Sequence, residues 1–114
     1  MMRGAKGDGM GETTPGALLV VTVEVDPARE DEFNRWYDEE HIPEKRATPG
    51  FRSARRFRHH EGGGRYLAVY EIDDPSVVTS PEYMSQPMSE WSRSIMEAWR
   101  QWDRSVWVEI TQPG

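Results

Sequence analysis

No cysteine occurs in the chain, and that absence closes several chemistries at once. Disulfides, thiolate nucleophiles and cysteine-ligated zinc or iron-sulfur sites are excluded. Long apolar runs are missing too, since nothing approaches the ~20 residues that span a bilayer. Residues 1–16, "MMRGAKGDGMGETTPG", lack the apolar segment of a secretory signal and read as a disordered tail. The protein is therefore expected in the cytoplasm. Excess positive charge is the third absence. Lys and Arg number 14 against 20 Asp and Glu, a formal net charge of -6, which disfavours nucleic acid and anionic membranes as partners. A neutral or weakly charged small molecule fits better. The 114 residues support one domain with a real core and, at most, one site.

What is present is a well-marked order of elements. "ALLVVTVEV", residues 17–25, is a β-branched apolar run stopped by Asp26-Pro27, a strand expected to be buried on both faces. From Pro27 the spacing turns helical, with Phe33, Trp36, Tyr37 and His41 on one side. Asp26 as N-cap and Pro27 at the first position start this helix, and Pro43 is expected to end it by pushing Ile42 out of helical geometry. "FRSARRFRHH" after the turn "TPG" and "RYLAVYEID" after the loop "EGGG" form a hairpin, with Phe51, Ser53, Arg55 and Phe57 alternating against arginines and Ala54. Ser80-Pro81 caps one short helical turn. "MSEWSRSIMEAWRQWDR" then places Trp91, Ile95, Ala98, Trp99 and Trp102 on one face of a second helix, and "SVWVEIT", residues 105–111, is the last strand. The order βαββαβ predicts an α+β, ferredoxin-like domain over residues 17–112, a four-stranded antiparallel sheet with both helices on one face. The other face, apolar in the first, third and last strands, calls for a cover, and a second copy is the simplest.

Chemistry concentrates in "NRWYDEEHIPE", residues 34–44. On a helical wheel Glu40 falls between Trp36 and Tyr37, inside the apolar stripe, whereas Asp38 and Glu39 point outward. Burial would raise the pKa of Glu40 unless a strand-two arginine or a hydrogen-bond donor offsets it. Tyr37 and His41, four residues apart, can face one pocket, and an imidazole, a phenol and a carboxylate together are competent for acid-base chemistry. Plainer roles stand beside these. His41 can complement a helix C-terminus, Glu40 can be a structural ion pair, and Trp36 and the tryptophans at 91, 99 and 102 can be core. His59 and His60 are adjacent and point to opposite faces of a strand, so no metal is assigned.

The run "NRWYDEEHIPE", followed by "PGFRSARRFR", "RYLAVYEIDDP" and "TSPEY", resembles the EthD-like branch of the dimeric α+β barrel superfamily over about residues 17 to 112. Trp36, Tyr37, His41, Pro43, Pro49, Gly50 and Phe51 carry the likeness. It implies a homodimer with sheets packed face to face and a pocket in each subunit between sheet and helices. It also implies work without metal, flavin or nicotinamide on aromatic or polyketide-like molecules, as decarboxylase, dehydratase-cyclase or cofactor-free oxygenase. His41 occupies the family's histidine position and would be the proton-transfer residue, with Tyr37 and Glu40 added from the helical wheel. Trp36, Arg55, Tyr66, Tyr70, Trp91 and Trp99 are the expected substrate contacts, and Arg55 would suit an acidic or phenolate substrate. The alternative is a non-catalytic binding or accessory protein on the same barrel. An RNA-recognition motif shares the βαββαβ order, but Arg65 and Leu67 stand where its strand-three aromatics belong.

Overall fold

A computed structural model describes residues 16–111. The tail read at 1–16 lies outside them except for Gly16, whose carbonyl accepts a hydrogen bond from Glu109 N at 2.9 Å. Strand β1 (Ala17–Val25) leads through a 3-10 turn (Pro27–Arg29) into helix α1 (Glu30–Trp36), a π-helical turn (Tyr37–His41) and helix α2 (Ile42–Arg46). Strands β2 (Phe51–Arg58) and β3 (Arg65–Ile72) follow. A 3-10 turn (Pro75–Thr79), helix α3 (Pro81–Met84), helix α4 (Glu90–Met96) and strand β4 (Trp99–Val108) complete the chain. The four strands form one antiparallel sheet in the order β2-β3-β1-β4, the ferredoxin-like α+β arrangement.

Strand β1 occupies the centre because it is apolar on both faces and pairs on both edges, with β3 and β4. Its odd-numbered residues Leu19, Val23 and Val25 are buried under the helices with Phe33, Trp36, Tyr70, Ile72 and Ile95. The even-numbered Leu18, Val20 and Thr22 point the other way, beside Leu67, Val69, Phe57 and Trp107. None of the described helices is long and apolar enough to cross a membrane.

Asp26 caps the first helical turn as expected, accepting from Ala28 N at 3.0 Å, and Ser80 accepts from Tyr83 N at 3.2 Å at the start of α3. Gly50 meets a strict demand. Its φ is 93°, and an added Cβ would lie 2.6 Å from Val77 Cγ2.

Three expectations are corrected. The first helix does not stop before Pro43. Ile42 keeps φ -63° and ψ -47°, and its N–H reaches back to the Tyr37 carbonyl, five residues earlier. That widened turn makes room for a proline ring that would otherwise strike the carbonyl four residues before it. The second helix is shorter than its pattern, ending at Met96, so that Trp99 and Trp102 lie on strand β4. Pairing with the whole length of β1, from Val25↔Trp99 to Ala17↔Val108, outweighs the helical spacing of the five residues Trp91, Ile95, Ala98, Trp99 and Trp102. Arg55, finally, points away from the helices. Phe51 and Ser53 pair with the consecutive residues Ile72 and Glu71, which makes Arg52 the extra residue of a bulge. Phe51 stays on the covered side while Ser53, Arg55 and Phe57 are turned to the bare one.

Candidate functional site

Helices and sheet enclose a cavity of about 410 Å³ whose lining includes Tyr37, His41, Lys45, Tyr70, Trp99 and Arg104. The π-helical turn brings Tyr37 and His41 to the same side, with ring centroids 5.2 Å apart and planes at 88°. Trp36 lies behind them rather than in the lining. It is fully buried, its indole stacks on the His41 ring at 4.4 Å, and it fixes that ring from below.

Burial governs the ionisation of the site. It holds His41 down from its ordinary 6.5 to about 3, with the Lys45 and Arg56 cations adding to the effect. The imidazole is therefore neutral at neutral pH, and the 3.8 Å approach of Nδ1 to Glu44 Oε1 is neither an ion pair nor a hydrogen bond. Tyr37 is pushed up to about 12 by burial, against the pull of Arg56, whose guanidinium carbon sits 4.1 Å from the Tyr37 ring centroid. Tyr70 is raised further, by burial first and then by the Tyr37 phenol beside it. Both phenols keep their protons and can only donate or share them.

Two polar atoms of the lining residues are left over. The Tyr70 hydroxyl and Trp99 Nε1 are buried without a hydrogen-bond partner among the described residues; Tyr37 lies near Tyr70 but offers no bond of good geometry. An unpaired buried donor costs about 1–3 kcal/mol, and both atoms lie in the wall behind the cavity surface, without exposure to it.

Glu40, next to His41 in sequence, belongs to a different structure. Its Oε2 accepts from Ser89 Oγ at 2.5 Å, Ser92 Oγ at 2.9 Å and Trp36 Nε1 at 3.2 Å. These bonds, Ser89 foremost, hold its carboxyl below the usual carboxylate range, and the donors are serines rather than the arginine expected. Since Ser89 also caps α4 by accepting from Ser92 N at 3.0 Å, Glu40 braces the two helical segments together instead of facing the cavity. The remaining expected contacts also fall elsewhere. Arg55 is on the bare face, and Trp91 packs under the Arg35 guanidinium at 5.7 Å, outside the lining. Tyr66 donates to Glu30 and accepts from Asn34 Nδ2 at 3.1 Å, closing a surface network that Arg56 joins through a 2.7 Å bond to Asn34 Oδ1.

Lys45, Tyr83, Gln86 and Arg104 were not foreseen. Lys45 had a signal, four residues after His41 on the same helical side. Arg104 had one too, two residues after Trp102 on a strand, but it was hidden by reading that stretch as helix. A second cavity, about 480 Å³, opens on the bare face beside Phe57, His59, Arg65 and Leu67, and contains neither of the unpaired buried atoms. Among the described residues no group of three His, Asp or Glu is placed to hold a metal ion.

Solved structures share this architecture. A candidate antibiotic biosynthesis monooxygenase from Bordetella bronchiseptica is 18% identical, with a TM-score of 0.69 over 88% of this chain and 100% of that one. SnoaB from Streptomyces nogalater, a cofactor-independent oxygenase, is 13% identical, with a TM-score of 0.67 over 87% and 97%. PA3566 from Pseudomonas aeruginosa is 11% identical, with a TM-score of 0.65 over 89% and 100%. At such identities the likeness is one of fold alone. No curated protein sequence matches the chain. The family model described as a domain of unknown function (DUF4286) matches residues 17–106, and the chain belongs to that family.

Proposed function

We propose that the cavity is the active site of a cofactor-independent enzyme acting on an aromatic or polyketide-derived small molecule, with His41 as the proton-transfer residue. The observation that carries this reading is an uncharged His41 beside the protonated Tyr37 phenol in the lining of one cavity. A neutral imidazole can accept a proton from an acidic C–H or phenol. Its low pKa makes it a weak base, but a substrate anion forming beside it favours the imidazolium and raises that pKa as the proton moves. Tyr37, protonated, donates to the oxygen on which the negative charge develops.

The fold shared with SnoaB favours the oxygenase type among the candidate reactions. Dioxygen is then the oxidant, and an activated methylene between aromatic rings becomes a carbonyl: R₂CH₂ and O₂ give R₂C=O and H₂O, with no other reductant. Cyclisation with dehydration, or decarboxylation, would use the same base and donors. Within this reading the narrower EthD-like assignment rests on the run from Trp36 to Phe51, the bare apolar face is covered by a second copy in a homodimer, and the place of action is the cytoplasm.

One observation favours the alternative, a non-catalytic binding or accessory protein. Lys45 and Arg56 both oppose the charge His41 would have to take on. Oxygen uptake and product formation on an anthrone, measured for the native protein and for His41→Gln with its fold checked by circular dichroism, separate the two. A proton-transfer role predicts a loss of about a hundredfold or more in the variant. Equal turnover would remove that role, and saturable binding without product would favour the binding protein.

A further inference from the structure

We infer that the ligand of this cavity is an aromatic anion whose carboxylate or phenolate sits between Lys45 and Arg104. The inference rests on the reading of the cavity as a ligand site and adds the charge and orientation of what enters it.

Both cations face the same ring. Lys45 Nζ lies 4.7 Å from the Tyr83 ring centroid, and the Arg104 guanidinium carbon lies 5.6 Å from it. They are close enough for Arg104 to disfavour the charge on Lys45, and burial disfavours it more. Two cations brought together at a partly buried site repel each other and are normally reconciled by a carboxylate between them. Here neither forms an ion pair among the described residues. Their partners are neutral instead. Lys45 donates to Gln86 Oε1 at 2.7 Å, and Arg104 donates to the Tyr83 hydroxyl at 3.2 Å, leaving the phenol proton for another acceptor. The Gln86 amide is held in that orientation by its NH₂ group donating to Thr48 Oγ1. Glu44 also lines the cavity and offsets part of the charge on Lys45, but with His41 neutral the two cations exceed it by one. A single negative charge completes the balance.

The rest of the lining sets the other half of the ligand. Tyr37 and Trp99 offer ring edges to a flat molecule, and the Tyr37 hydroxyl offers a donor to a second oxygen. An aromatic acid carrying a hydroxyl or keto oxygen uses both ends. A neutral polycycle of the same shape would leave the Lys45–Arg104 end desolvated and unpaired.

Hydroxynaphthoate, with its carboxylate beside the hydroxyl, and its methyl ester are suitable probes, titrated by isothermal calorimetry with tryptophan fluorescence in parallel. The acid should bind about tenfold or more tightly than the ester, the scale of one charge-assisted hydrogen bond. That preference should vanish in Lys45→Met and Arg104→Gln combined, through weaker binding of the acid. Arg104 is exposed, so Arg104→Gln alone serves if the double variant fails to fold, and it should reduce the preference. Equal binding of acid and ester would overturn the anion site and leave the cavity reading standing. A preference untouched by the substitutions would overturn it as well, by moving the charge contact elsewhere. Binding of neither probe would overturn the cavity as a ligand site and this inference with it.

Discussion

On the covered side of the sheet, Leu19, Tyr70 and Ile72 are 2%, 1% and 0% exposed beneath the helices; on the bare side Leu18, Phe57 and Trp107 are 37%, 40% and 60% exposed. The two sides are built from the same strands, residue by alternate residue, yet they carry different chemistry. The covered side combines a packed core with a cavity that holds shifted ionisations. The bare side combines aliphatic and aromatic side chains with charges such as Arg55 and Glu71, as surfaces that associate commonly do. Enclosure makes the difference. Desolvation under the helices lowers His41 and raises Tyr37 and Tyr70, and no group on the open side experiences it to that extent.

The comparison can be broken most forcefully at Trp36. Truncation to alanine removes the largest fully buried side chain and should cost about 3–5 kcal/mol in urea denaturation. The bare side should behave in the opposite manner. Leu18→Glu with Trp107→Glu should leave the folding of a protomer nearly intact while weakening self-association at least about a hundredfold, or ~2.7 kcal/mol, by sedimentation equilibrium. A native protein that stays monomeric at high concentration would remove the second copy from the account.

Glu40→Gln should have a smaller effect, a destabilisation of about 1–3 kcal/mol, because Ser89, Ser92 and the Trp36 indole lose the charged acceptor they share. Its effect on ligand affinity should be slight. A pronounced loss of affinity with unchanged stability would return Glu40 to the cavity.

The last of these effects is a slope, small within any one pH unit. His41 binds its proton near 6.5 in the unfolded chain and near 3 in the folded one, so the unfolded state holds more protons between those values. The stability from keeping His41 neutral is whole above 6.5 and is lost as pH falls toward 3, by at most about 1.4 kcal/mol per pH unit. Carboxylates join below about pH 5. The window from about 6.5 to 5 is therefore the one to read, by thermal or urea melts, and His41→Gln should flatten it.

Much of this architecture was legible in the sequence because local and long-range preferences agree. Strand β1, the Asp26 cap, the hairpin and the short turn at Ser80 carry their own punctuation in Pro, Gly and Ser. The failures occurred where pairing overrode pattern. Trp99 and Trp102 have helical spacing with Trp91 and Ile95, and only the demand of β1 for a partner makes them strand. Arg55 was placed by alternation, which a one-residue bulge at Arg52 reverses. The site was legible in part for the same reasons. Tyr37 and His41 announce themselves on one helix, and Tyr70 by alternation, but the cationic end assembles from α2, α3 and β4. No short stretch of sequence contains that end. Glu40, expected to face the pocket with Tyr37 and His41, is held away from it by three donors from Trp36 and from residues about fifty positions later, which a helical wheel does not show.

The most direct measurement is a pH titration of the His41 ring by NMR, alone and with saturating hydroxynaphthoate. The account predicts that the ring stays neutral from pH 8 down to about 5, a range in which an ordinary histidine becomes charged, and that its resonances shift when the acid binds. A ring that titrates near 6.5 and ignores the bound acid would contradict it, making His41 a solvated residue on the helix surface rather than part of the cavity.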